Sequence, residues 1–185
     1  MMARMRHIRR WSLMNARSSE NVAEHSLMTA VLAHALAVIA RDRFGRADAD
    51  PNACAAAAIF HDAPEILTGD LPTPVKYFNP GIREAYRAVE SAGIEKLLSM
   101  LPEGMRGDYR AFLTPGEGYT AKLVRAADKL SAYIKCLEEE RAGNDEFRDA
   151  AKTVKKTLDG MDMPELRTFM AEFLPSFSLT LDELK

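Results

Sequence analysis

Residues 54–74 read CAAAAIFHDAPEILTGDLPTP. Four consecutive alanines, the strongest helix formers, sit inside an apolar run. Just upstream, Asp50-Pro51 is a helix start, with aspartate as N-cap and proline at the first helical position. The stretch therefore reads as a helix made for a protein core. It ends abruptly in His61-Asp62, with Glu65 within one helical turn and Asp70 a few residues on. Burying such groups unpaired costs roughly several kcal/mol each. A cation, a hydrogen-bond network or water must compensate them.

The rest of the chain reads outward as helices with short connectors. Ser18 or Ser19 can cap a long helix that runs to about Phe44, where Gly45 ends it. Leu27, Val31 and Val38 share one face of it, and Met28, Leu32 and Ile39 lie beside them, which predicts a helix buried nearly all round. Pro64 predicts a kink or break, with LTGDLPTP as a loop. Thr73-Pro74 starts a short helix, and Asn79-Pro80 another that reaches about Leu101. A shorter element follows between Pro102 and Pro115. Leu123, Ala127, Leu130, Ile134 and Leu137 keep helical spacing from Thr120 to about Ala142, and Gly143 stops that helix. Two more helices cover 145–159 and 164–174, and the tail PSFSLTLDELK is irregular with one further turn. No segment alternates apolar and polar residues as a strand would. The fold class is all-α, one helical domain over residues 1–185.

Composition narrows the function classes. Hydrophobic residues make up 47% and charged residues 28%, an ordinary globular balance. A net charge of −2 gives no electrostatic case for nucleic acid or an anionic membrane. Cys54 and Cys136 lie on separate helices and read as reduced, packed thiols in a cytoplasmic setting. The basic start MMARMRHIRRW is followed by no apolar run, so it is not a signal peptide, and AVLAHALAVIA is too short to span a bilayer.

Four histidines are present: His7, His25, His34 and His61. His25 on the first long helix, His61-Asp62 at the end of the second and Asp128 on the later amphipathic helix offer two imidazoles and two carboxylates. That donor set suits Mn, Fe, Co, Ni or Zn and leaves positions for water and a substrate oxygen. Neighbours His61 and Asp62 point about 100° apart, so both reach one ion where the helix end faces a cavity. Asp128 is equally a boundary aspartate paired with Arg125 or Lys129. His34 falls about 180° around the helix from His25, so the two cannot share an ion; it reads as a hydrogen-bonded core or interface residue. His7 reads as surface.

The set His25, His61-Asp62 and Asp128 on a helical chain resembles the HD-domain metal-dependent phosphohydrolases. The strings RRWSLM, ENVAEHSL, FHDAPEILTGDLPTPVKYFN, ADKLSAYIKCLEE and FLPSFSLTLDEL resemble one branch, the bacterial 5′-deoxynucleotidases of the YfbR type, from about Arg10 to Leu184. The resemblance implies removal of the 5′-phosphate from deoxyribonucleoside 5′-monophosphates by a homodimer. It implies one divalent metal ion, Co2+ or Mn2+ foremost with Fe, Ni, Zn or Mg compatible, on His25, His61, Asp62 and Asp128. It places Arg10 and Trp11 at the substrate and Glu65 and Asp70 near the reacting phosphate. Asp70, Leu71, Pro72 and Thr73 would line the nucleotide pocket. Pro64 departs from the small polar residue usual there.

The implied chemistry follows from charge. A phosphate monoester repels hydroxide; a divalent ion offsets that charge and lowers the pKa of bound water. Arg10 would hold phosphate oxygens with its planar fork. Either Glu65 or Asp70 would supply the leaving group's proton. Trp11 could stack on the sugar or fill the space beside its 2′-carbon. The alternatives are a dNTP, cyclic or polyphosphate nucleotide as substrate, or a helical nucleotide-binding module without turnover. Arg10, with Lys76 as the next basic residue, offers charge for one phosphate.

Overall fold

The structure, a computed structural model, describes residues 1–76, 78–114 and 116–183. Among them, helices run at Val22–Phe44 (α1), Pro51–Phe60 (α2), Glu65–Thr68 (α3), Thr73–Lys76 (α4), Pro80–Ser99 (α5), Glu103–Leu113 (α6), Tyr119–Arg141 (α7), Arg148–Asp159 (α8) and Pro164–Glu172 (α9). Short 3-10 turns cover Met2–His7, Asp145–Phe147, Leu174–Ser178 and Leu181–Glu183. The all-α expectation holds. Tyr77, Pro115 and Leu184, which the sequence reading used, lie outside the described residues.

The helix ends obey local chemistry. Asp50 accepts from the backbone N–H groups of Asn52 and Ala53, at 2.9 and 3.1 Å. Asn79 Oδ1 accepts from Ile82 N at 2.8 Å. The start of α1 differs from the expected serine cap. Asn21 and Glu24 form a reciprocal capping box, each side chain accepting from the other's N–H at 3.0 Å. The reason lies upstream, where residues 8–10 turn back against 20–22. Arg10 N donates to Glu20 O and Val22 N to Ile8 O, both at 3.0 Å, and Arg9 bridges Asn21 antiparallel. This pairing delays the helix to Val22, so it cannot start at Ser18.

Small residues let three helices approach closely. Ala33, Ala37 and Ala40 of α1, Ala58 of α2, and Ala126 and Ala127 of α7 are buried in one core with Leu32, Leu36, Leu123, Leu130 and Phe147. Cys54 and Cys136 are buried in it as free thiols. One face of α1 escapes this core. Leu27 is 65% and Val31 57% exposed, and His34 is exposed beside them. This corrects the reading of α1 as buried all round and, of the two readings of His34, removes the core and leaves the interface: the single chain has neighbours for only part of an apolar circumference. By length and mean hydropathy, 1.6, α1 could cross a membrane, contrary to the sequence expectation. Its packing within the protein against α2, α7 and α9 makes it a core helix. Phe177 is half-buried against Phe169, whereas Phe173 and Leu179 are exposed.

A buried ion pair secures the loop before α1. Glu139, 1% exposed, accepts from Lys135 Nζ (2.6 Å), Arg17 N (2.8 Å), Asn144 Nδ2 (2.9 Å), Ser18 N (3.1 Å) and Ser18 Oγ (3.2 Å). Lys135 Nζ also donates to Ser18 O at 2.8 Å. Burial alone would raise the Glu139 pKa; the donors around it, Lys135 first, outweigh that and hold it well below the usual carboxylate range. A depressed folded-state pKa stabilises the protein above the unfolded value, about 4.3, and that stabilisation is lost as pH falls through the folded value. Glu139→Ala should therefore lose about 3–5 kcal/mol in urea unfolding at pH 7. The gap between wild type and Glu139→Gln should narrow steadily below about pH 4.

Candidate metal and substrate site

α1, α2 and α7 meet where their polar residues face one another. His25 sits in the first turns of α1 and is fully buried. His61 and Asp62 follow the last residue of α2, in the turn that Pro64 completes. Asp128 projects from the middle of α7. His25 Nε2 lies 3.1 Å from Asp128 Oδ1 and 3.6 Å from Asp62 Oδ2, and His61 Nε2 lies 3.1 Å from the same Asp62 oxygen. One ligand atom each from His25, His61 and Asp128 falls within a mutual 4.8 Å, a group that could hold a metal ion. Asp128 also accepts from Lys129 Nζ through its other oxygen at 3.0 Å, so the expected ion pair is present and the first oxygen still faces the cluster.

The arrangement fits a cation better than an internal hydrogen-bond network. His61 Nδ1 donates to Ala58 O at 2.7 Å, so in the neutral ring Nε2 is the nitrogen that carries the lone pair. That Nε2 is buried and makes no aligned hydrogen bond, despite the Asp62 oxygen beside it. Glu65 Oε2 is likewise buried without a partner. Two such atoms in one cluster are what a shared ion and its ligands would satisfy. Burial opposes charge on His61, but Asp62 and Asp128 overcome it and carry its pKa up to about 9. Burial also disfavours the Asp128 carboxylate, yet the His25 hydrogen bond and the Lys129 charge hold it well below the usual range. Burial first, then the charges of Asp62 and Asp70, push Glu65 up to about 9. Burial likewise raises Asp70, against the pull of Arg10.

Of the other expected residues, Arg10 reaches this cluster from the N-terminal loop, with Nη1 3.5 Å from Asp62 Oδ2. Trp11 is half-buried, its ring 5.2 Å from Phe147. Pro64 takes a right-handed helical conformation (φ −57°, ψ −26°) at the head of α3, where its missing N–H has no helical partner to lose. Glu65 therefore stays buried beside Asp62, its N–H donating to Asp62 O at 3.0 Å. Past Gly69, Asp70, Leu71 and Pro72 are half-buried and Thr73 is exposed. Lys76 donates to Glu90 at 3.0 Å and lies over the Tyr86 ring, turned to α5.

Sequence reasoning missed three contributors. Ser131 Oγ lies 3.1 Å from His25 Nδ1, and Thr29 Oγ1 3.4 Å from Nε2. Their helical spacings, three after Asp128 and four after His25, could have revealed both. Glu20 accepts from Arg10 Nε and Trp11 Nε1, and only the chain reversal before α1 brings it there.

Solved structures of HD-domain phosphohydrolases share this fold. The HD-domain phosphohydrolase of Listeria innocua superposes with a TM-score of 0.82 at 24% identity, over 95% of this chain and 85% of that one. A cyanophage S-2L HD phosphohydrolase, bound to dA and one catalytic Zn2+ ion, superposes with a TM-score of 0.70 at 18% identity, over 97% and 95%. The chain belongs to the 5′-deoxynucleotidase YfbR-like family, which residues 1–177 match. It is 48% identical to the 5′-deoxynucleotidases of Vibrio cholerae and Shewanella oneidensis, over 99% of this chain and 95% and 94% of those proteins.

Asp128→Asn should weaken binding of Mn2+ or Co2+ about tenfold or more, read as metal retained after gel filtration. The far-UV circular dichroism should stay that of the wild type.

Proposed function

We propose that this chain is a 5′-deoxynucleotidase, hydrolysing deoxyribonucleoside 5′-monophosphates to deoxyribonucleoside and phosphate. The convergence of His25, His61, Asp62 and Asp128 from three separate segments carries this reading, within a family that bears that activity in its name. We assign these four as ligands of one divalent metal. Bound there, a divalent cation would offset phosphate charge and lower the pKa of the attacking water.

The chain's own residues do the rest. Ala58 O and Ser131 Oγ fix the two imidazoles through their Nδ1 atoms. Arg10, its Nε engaged by Glu20, turns its outer edge to the cluster, where the fork suits phosphate oxygens. Trp11 lies next to it to meet the sugar. A ribonucleotide would press its 2′-hydroxyl on that ring, and discrimination needs such direct contact because an added hydroxyl alone is poorly rejected. Glu65, whose buried Oε2 lacks a partner, is assigned the proton for the departing 5′-oxygen, and Asp70 the orientation of water. With Lys76 taken up by Glu90, the site's basic charge matches a single phosphate.

Two further assignments accompany this reading. The exposed Leu27, Met28 and Val31 face of α1 suits a homodimer contact. The free, buried Cys54 and Cys136 fit a reducing, cytoplasmic setting.

Phosphate release from dAMP, AMP, dATP and a cyclic nucleotide, with Mn2+, Co2+, Mg2+ or Zn2+ resupplied, tests the activity. Turnover of dAMP well above AMP and dATP is expected; equal rates on AMP remove the sugar selectivity, and turnover of dATP alone replaces the substrate. Glu65→Ala should lower kcat by about a hundredfold or more while metal stays bound. Val31→Glu should convert a dimer to a monomer in light scattering, and an unchanged mass would discard the α1 contact.

A further inference from the structure

We propose that Glu20 is a positioning residue whose single carboxylate oxygen sets Arg10 and Trp11 in one posture, coupling phosphate holding to sugar discrimination. The proposal rests on the 5′-deoxynucleotidase reading and deepens it. Glu20 Oε2 accepts from Arg10 Nε at 3.1 Å and from Trp11 Nε1 at 2.9 Å. Its side chain is only 14% exposed, and that of Arg10 13%. Arg10 and Glu20 are therefore largely withdrawn from water, and the two donors share one acceptor oxygen, a setting that strengthens charge-assisted hydrogen bonds.

The geometry explains why an acid is needed there. Arg10 faces Asp62, and the charges of Asp128, Asp62 and Asp70 all act on it. Left to them, the guanidinium would close on the carboxylates that we assign to the metal. Glu20 holds the Nε side from behind, which keeps Nη1 at 3.5 Å from Asp62 and leaves the outer edge for a phosphate. On the same oxygen, the indole N–H fixes the ring plane of Trp11, whose other neighbour is Phe147. Trp11 is the one non-glycine residue with positive φ, 58°, among the described residues. Such a conformation is strained and persists where surroundings hold the side chain in place.

A purely structural role for Glu20 is separable from this one. The loop it belongs to is tied by backbone groups, Arg10 N to Glu20 O and Val22 N to Ile8 O. Its far end is tied by Glu139, Lys135 and Asn144. None of these ties uses the Glu20 side chain, so removing that side chain leaves the loop attached.

Trp11 is the only tryptophan, so its emission reports its own posture without metal or turnover. In Glu20→Ala the thermal midpoint should stay near wild type, while the emission shifts to the red and acrylamide reaches the ring more readily. The KM for dAMP should rise about tenfold with kcat falling less, and the preference for dAMP over AMP should drop about tenfold, as expected for loss of a charge-assisted contact. Glu20→Gln keeps an acceptor but not the charge. It should retain the wild-type emission and sugar preference, and raise the KM alone. A Glu20→Ala protein with wild-type emission, KM and sugar preference overturns the proposal and leaves the activity reading intact. Should Glu20→Ala unfold, Glu20→Gln decides: an unchanged KM overturns the proposal. A wild type without turnover of dAMP overturns the activity reading, and the proposal with it.

Discussion

Two imidazoles and two carboxylates converge at the junction of three alanine-lined helices, linked by His–Asp contacts of 3.1–3.6 Å, and the fold is arranged around that constraint. Charged groups in such a place are tolerable only when each is compensated. The alanines of α1, α2 and α7 bring the backbones close enough for short side chains to meet. Core and site are therefore one object, and the apolar packing exists on the same three helices that carry the cluster.

A second buried charge on α7 shows how a structural pair differs from a functional one. Glu139 has five donors, and its partner Lys135 is also bonded to Ser18. Every oxygen there is satisfied from inside the protein. Fewer than four turns away along α7, the Asp128 cluster leaves His61 Nε2 and Glu65 Oε2 buried without partners. Evenly satisfied polar groups hold a structure together; orphaned ones mark where something else binds. The two networks also cooperate. Glu139 pins the middle of the loop that delivers Arg10 and Trp11, and Glu20 trims their final orientation.

How much of this was legible in the sequence depended on whether the partner of each residue was local. The Asp50-Pro51 and Asn79-Pro80 helix starts, the Gly45 stop and the break at Pro64 are set by neighbours in the chain, and all appear in the structure. The cap of α1 was misread, because the backbone pairing of residues 20–22 with 8–10 delays the helix to Val22, and periodicity carries no trace of it. The apolar circumference of α1 was visible, but periodicity cannot say which face lies against the same chain. His25, His61 and Asp62 were marked by motif, whereas Asp128 stood even with a surface ion pair. The structure pairs one of its oxygens with Lys129 and turns the other to His25, since a carboxylate has two oxygens and Lys129 takes only one. Glu20 was invisible, because its importance comes wholly from a reversal of the chain.

Pro64 shows the same logic at the level of one residue. A proline inside a continuous helix would sacrifice a hydrogen bond and clash with the preceding turn. Here α2 has already ended at Phe60, and the chain needs a rigid corner before α3. Proline supplies its fixed φ where no N–H is required, and its carbonyl accepts from Leu67 N and Thr68 N to start the new helix. Gly93 of α5 gives it room: a β-carbon there would meet the Pro64 carbonyl and ring at 3.7 and 3.8 Å. The corner leaves Glu65 three residues beyond Asp62, its N–H on the Asp62 carbonyl and its carboxyl buried. A residue that looks like an interruption of the active-site segment is thus what fixes the path from ligand to acid, and the proline ring limits how far that path can relax.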